Sequence, residues 1–139
     1  MKTLLAASIL LLLIGAFVGI WQKERSEEVL ADLDMQAEEY VANYITEHIT
    51  PDDTIVSTAP VDIQTAYYLK LNGIPFERFY KRDHPVEIKN ALVLLRKNAQ
   101  YNTPESVLDF YKLSPAMDMD SIEFLYEYAQ VQVYSVPAK

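Results

Sequence analysis

Residues 91–95 read Ala-Leu-Val-Leu-Leu. Five apolar residues in a row, closed by Arg96, suit a strand covered on both faces rather than one with a wet side. Such a strand is central to a sheet and needs a helical layer on each face.

The flanking sequence supplies the rest of an α/β domain. Thr54-Ile-Val-Ser-Thr58 is a short β-branched run and reads as a strand. Ala59-Pro60-Val61-Asp62 follows it. Proline suits a first helical turn, and an acid there complements the helix dipole. The helix so begun runs to Asn72, with Ile63, Ala66, Tyr67 and Leu71 as its expected buried side and Gly73 as its stop. Pro75 to Tyr80 reads as a second strand. Thr103-Pro104-Glu105-Ser106 carries a cap, a proline and an acid in the order of a helix start, for a helix reaching Leu113. Ser121 to Tyr126 reads as a last helical turn. In Tyr128 to Val136, Ala129, Val131 and Val133 alternate with Gln130, Gln132 and Tyr134, the pattern of a half-exposed edge strand pairing antiparallel. Upstream, Val29, Leu33, Ala37, Val41, Ile45 and Ile49 recur every four residues and predict a helix over 24–49, ended by Thr50-Pro51-Asp52-Asp53. The order predicts an α/β fold: a small three-layer open sheet of four or five strands, mostly parallel.

Leu4 to Trp21 is an unbroken apolar run without charge. Its 18 residues would span roughly 27 Å as a helix, close to the hydrocarbon thickness of a bilayer. A cleaved signal is the competing reading. Cutting after Ala16 puts Ile14 at −3, and cutting after Gly19 puts Phe17 there, so neither site suits a signal peptidase. The expected organisation is a membrane anchor or signal segment over 1–23 and an extracytoplasmic domain over 24–139. Lys2 on one side and Lys23 and Arg25 on the other leave orientation undecided by charge. The signal-like start favours a single pass through the cytoplasmic membrane with the domain outside.

Composition narrows the function. The 139 residues carry 12 basic and 20 acidic side chains, a formal net charge of −8. Residues 24–139 hold 10 of those bases and all 20 acids. So acidic a chain is a poor nucleic-acid binder. It has no cysteine, which excludes disulfides, thiolate zinc sites and a thiol nucleophile. Only His48 and His84 are available as imidazoles. No cofactor and no metal site is expected.

The stretch from Pro51 to Tyr80, PDDTIVSTAPVDIQTAYYLKLNGIPFERFY, carries a resemblance. Asp53 to Val56, Ala59-Pro60, Tyr67-Tyr68-Leu69 and Gly73-Ile74-Pro75 stand in the order found in the C-terminal extracytoplasmic domain of multi-pass polyprenyl-phosphate-sugar glycosyltransferases. These are the protein mannosyltransferase-like and aminoarabinose-transferase-like enzymes. The strand Ala91 to Leu95 and the closing Val133-Tyr134-Ser135-Val136-Pro137 also resemble that domain. The likeness implies an accessory domain standing alone on one membrane helix, or the tail fragment of a split enzyme. The family's catalytic acids lie in a first extracytoplasmic loop that has no counterpart here, so it implies no catalytic residue. It does imply two partners: membrane lipid through residues 4–21, and a multi-pass membrane glycosyltransferase.

Several residues are candidates for chemistry. Ser57, Thr58 and Asp62 stand at the carboxyl end of a strand and the start of a helix, where open α/β sheets place ligands. No glycine-rich loop accompanies them, so a nucleotide phosphate is not the expected ligand. Lys81, Arg82 and His84 form a basic cluster suited to anionic groups. Asp118 and Asp120 begin a calcium-loop spacing that lacks its glycine and closing glutamate. The leading expectation is a non-catalytic binding domain. An enzyme built on Ser57, Thr58, Asp62 and His84, and a structural subunit, are the alternatives.

Overall fold

The computed structural model describes Lys23 and residues 36–139. Residues 4–21, and residues 24–35 of the helix expected over 24–49, lie outside that range. Among the described residues no helix is long and apolar enough to cross a membrane.

Residues 36–48 form helix α1. Then come β1 (Asp53–Ser57), α2 (Val61–Leu71), β2 (Asn90–Arg96), α3 (Pro104–Phe110), β3 (Glu123–Tyr128) and β4 (Val131–Pro137). The sheet order is β1-β2-β4-β3. Ala91 to Leu95 are all buried, as their composition requires. Their side chains alternate between two cores. Leu92 and Leu94 join Ile55, Val131 and Val133 under α1 and α2, through Val41, Ile45, Val61 and Leu69. Ala91, Val93 and Leu95 join Val56 and Val136 under Val107 and Leu108 of α3. Each of the fully buried aliphatic side chains contributes roughly 1.5–3 kcal/mol of transfer free energy. The three layers are those the sequence implies, and residues 36–139 form one unit.

The sheet is mixed, not mostly parallel. β2 pairs parallel with β1, Ile55 opposite Leu92. It pairs antiparallel with β4, Leu94 opposite Val133, and β4 pairs antiparallel with β3. The strand expected over Pro75 to Tyr80 is a 3₁₀ turn, Phe76–Arg78, followed by a single bridge from Phe79 to Ile55. Proline starts that segment without an N–H to donate, and it touches the sheet at only one point. The helical turn expected over Ser121 to Tyr126 is mostly strand. The run from Tyr128 to Val136 is not one edge strand. It turns at Ala129, which takes a positive φ of 50°. An alanine in that conformation gives no sequence warning of a hairpin. β4 is therefore internal, and β3 takes the edge.

Helix α2 also presents a different side from the one expected. Val61, Thr65, Ala66 and Leu69 are buried, while Ile63, Tyr67 and Leu71 are 76%, 58% and 66% exposed. The exposed row Ile63, Tyr67 and Leu71 is fully apolar while the buried row carries the hydroxyl of Thr65, so periodicity points to the wrong side. The Val61-Thr65-Leu69 row fills the core. Gly73, at φ 87°, ends the helix as expected, and Ile74 N donates back to Leu69 O at 2.9 Å. Thr103 and Ser106 exchange side-chain bonds with each other's backbone N–H at the start of α3. That helix stops short of Leu113, because Lys112 takes a φ of 61°.

Two polar features sit in these cores. Thr65 is fully buried, and its Oγ1 has no hydrogen-bond partner among the described residues. A buried hydroxyl in that state costs about 1–3 kcal/mol. Thr65→Val keeps the shape and removes the hydroxyl. It is expected to raise unfolding free energy by about 1 kcal/mol, read as a higher urea midpoint with an unchanged slope. Glu38 of α1 is 1% exposed and pairs with Arg96 at the end of β2, whose side chain is 14% exposed.

Candidate functional site

The carboxyl end of β1 opens into a pocket of about 270 Å³. Ser57 of β1 forms its floor, and Asp62, Ile63 and Ala66 come from the first turns of α2. Phe76, Phe79 and Tyr80 come from the segment after α2, and Tyr111 from the end of α3. The Ala59–Pro60 peptide, which is cis, carries the chain from β1 into α2. The 3₁₀ turn and the Phe79 bridge hold the aromatic segment against β1, where Tyr80 N donates to Ile55 O at 2.8 Å.

Tyr111 organises the site. Its hydroxyl donates to Ser57 O at 2.7 Å. Its ring meets Tyr80 edge to face, centroids 5.4 Å apart. The Arg82 guanidinium lies 4.7 Å from the Phe110 ring centroid and 5.8 Å from that of Tyr111, and it donates to Phe110 O. Burial pushes the Tyr111 phenol above its ordinary value near 10. The negative charge of Asp62 pushes it the same way, and Arg82 partly offsets both.

The sign of the linkage follows. The folded state holds the phenolic proton more tightly than the unfolded chain does. Its contribution to stability is therefore complete below pH 10 and is lost as pH rises through the folded-state value. In an absorbance titration of tyrosinate, Tyr111→Phe is expected to remove a late component and leave the earlier ones in place. The same variant is expected to flatten the alkaline fall in stability.

The sequence candidates divide. Ser57 and Asp62 line the pocket, and Arg82 stacks on its Tyr111 wall. Thr58 is buried beneath the turn, where its carbonyl accepts from Val61 N at 3.1 Å. Lys81 is exposed. The His84 side chain is 81% exposed and faces Asp83 at 3.3 Å. Thr58, Lys81 and His84 do not line the pocket, so the enzyme constellation of Ser57, Thr58, Asp62 and His84 is not assembled there. Sequence reasoning missed Phe76, Phe79, Tyr80 and Tyr111 as site residues. The first three were assigned to a strand, and Tyr111 lies 54 residues from the Ser57 carbonyl it bonds.

The tyrosines do not gather on one face. Tyr40 stacks on Tyr128 and Tyr44 on Tyr126, each pair at 4.3 Å, sealing α1 against β3. Tyr134 meets Phe124 elsewhere on the sheet. Asp118 serves its own 3₁₀ turn, accepting from Asp120 N and Ser121 Oγ. Among the described residues no three acids or histidines converge as metal ligands.

A second pocket, of about 190 Å³, lies between α1 and the sheet. Its polar end is a closed network. Asp53, 6% exposed, accepts from Thr50 N at 2.7 Å and Thr50 Oγ1 at 2.9 Å on one oxygen, and from Asn90 Nδ2 at 2.6 Å on the other. Ser135 Oγ donates to Asn90 Oδ1 at 3.0 Å. Asp53 thus closes the turn after α1 and ties it to β2, while Asp52 pairs with Lys89 at 2.8 Å.

No protein-family model matches this chain, and no curated protein or solved structure matches it.

Proposed function

We propose that this chain is a membrane-anchored, non-catalytic binding domain that serves membrane glycosyl transfer outside the cytoplasm. Residues 4–21 provide the anchor, and the pocket at the end of β1 provides the binding site. The observation that carries the reading is the pocket's lining: four aromatic rings, one carboxylate and a strand-end serine. Aromatic faces suit the C–H surfaces of sugar rings, and a carboxylate accepts from their hydroxyls. At about 270 Å³ the pocket lies just under the usual range for small-molecule sites, which suits a single sugar-sized group. The resemblance of Pro51 to Tyr80 to the glycosyltransferase accessory domain supports the same setting.

Affinity capture of the full chain in mild detergent tests this, with mass spectrometry of the partners and of the chain's own N-terminus. The expected result is a multi-pass membrane glycosyltransferase together with an intact segment from Met1 to Trp21. A cleaved, soluble, solitary protein would overturn the reading.

The exposed row of Ile63, Tyr67 and Leu71 favours a second reading, that of a structural subunit assembling through α2. A defined homo-oligomer by light scattering, with no glycosyltransferase captured, would favour it.

A further inference from the structure

We propose that the pocket at the end of β1 is a cage for a compact organic ammonium group, with Asp62 as the counter-charge and aromatic rings as the walls. The proposal rests on the reading of this pocket as the domain's binding site and specifies the ligand's charge.

Asp62 is the one ionised side chain in the pocket lining. It accepts from the neighbouring Ile63 N at 2.8 Å, and it has no ion-pair partner among the described residues. The positive end of α2 carries about half a charge, which a full carboxylate outweighs; Lys70 and Arg82, which do not line the pocket, lie on the Phe76 and Tyr111 rings. Around it stand Phe76, Phe79, Tyr80 and Tyr111. Tyr80 and Tyr111 meet at 81°, as two adjacent walls of a box, and Phe76 and Phe79 are tilted by 46° with centroids 6.2 Å apart. The faces of such rings are electron-rich and attract cations within about 6 Å of the centroid. The attraction is already visible next door: Lys70 Nζ lies 5.4 Å from the Phe76 centroid. Arg82 is held on Phe110 and does not line the pocket. A net charge of −8 further raises the local concentration of cations and lowers that of anions.

A ligand pair of equal shape tests the charge. Choline and its uncharged carbon isostere 3,3-dimethylbutan-1-ol are titrated against the full chain in an oxyethylene detergent, alongside a neutral methyl glycoside. Binding is followed by calorimetry and by the aromatic NMR signals. Choline is expected to bind at least ten-fold more tightly than the isostere. Asp62→Asn is expected to remove about ten-fold of that affinity, with an unchanged circular dichroism spectrum. Tyr80→Leu is a second variant, expected to weaken choline more than the isostere. Equal affinity for choline and isostere, or choline binding unaffected by Asp62→Asn, would overturn the cage. Glycoside binding without choline binding would also overturn it, while leaving the binding-domain reading standing. Binding of none of the three would overturn both.

Discussion

Arg96→Met is expected to destabilise the domain by roughly 3–5 kcal/mol, the range for breaking a buried ion pair from one side. Glu38 is 1% exposed, and Arg96 is the cation it faces. Its second oxygen, Oε2, already lacks a hydrogen-bond partner among the described residues. Without the guanidinium, a carboxylate stays in the core with nothing to compensate its lost hydration. Domains of this size hold only about 5–15 kcal/mol in total, so the loss is a large fraction of the whole. The paired change Glu38→Leu with Arg96→Met removes both charges. It is expected to recover most of the deficit. Urea unfolding of the full chain, followed by far-ultraviolet circular dichroism, reads both. A double variant no better than the single one would show that the pair is not the source of the loss.

Asp53→Ala is the second large effect, expected at about 4 kcal/mol. Hydrogen bonds to an ionised group contribute roughly 1.5–3 kcal/mol each, less than additively when they share it. The carboxylate of Asp53 accepts three, from Thr50 and Asn90, at 6% exposure. Asp53→Asn is the sharper variant. Both oxygens face N–H or O–H donors, so an amide serves one side and turns its own NH₂ against the other. It is expected to recover less than half of the alanine loss. Full recovery by asparagine would show that shape, not charge and acceptor count, is what the position needs.

The parts of the fold legible in the sequence are those set by local chemistry. Ala91 to Leu95 declared a strand covered on both faces because no side chain in it tolerates water, and helices do cover both faces. Gly73 and Thr103 marked their helix ends because each satisfies a backbone demand within a few residues. The misreadings arose where the deciding contact is distant. Ile63, Tyr67 and Leu71 are a more apolar row than Val61, Thr65 and Leu69, and only the sheet beneath α2 selects the second. The antiparallel direction of β4 is as expected, but its place inside the sheet depends on a hairpin at Ala129, a residue type that rarely takes a left-handed φ. The site divided in the same way. Ser57 and Asp62 followed from the end of a strand and the start of a helix. Tyr111 reached Ser57 through tertiary packing and left no local trace.

The sheet's two edges explain how this domain must meet other molecules. On the β1 side, Arg78 donates to the carbonyls of Thr50, Pro51 and Asp53, and Tyr80 N takes that of Ile55. Backbone acceptors there are spoken for. On the β3 side the register breaks between Phe124 and Tyr126, Glu123 is exposed, and Glu127 pairs with Lys97. A kinked, charged border is a poor template for another strand. Strand addition, the usual way an extended peptide joins a sheet, is therefore closed to it at both borders. Neighbouring molecules of the same chain are likewise kept from zipping edge to edge into aggregates. Whatever recognition the domain performs falls to side chains.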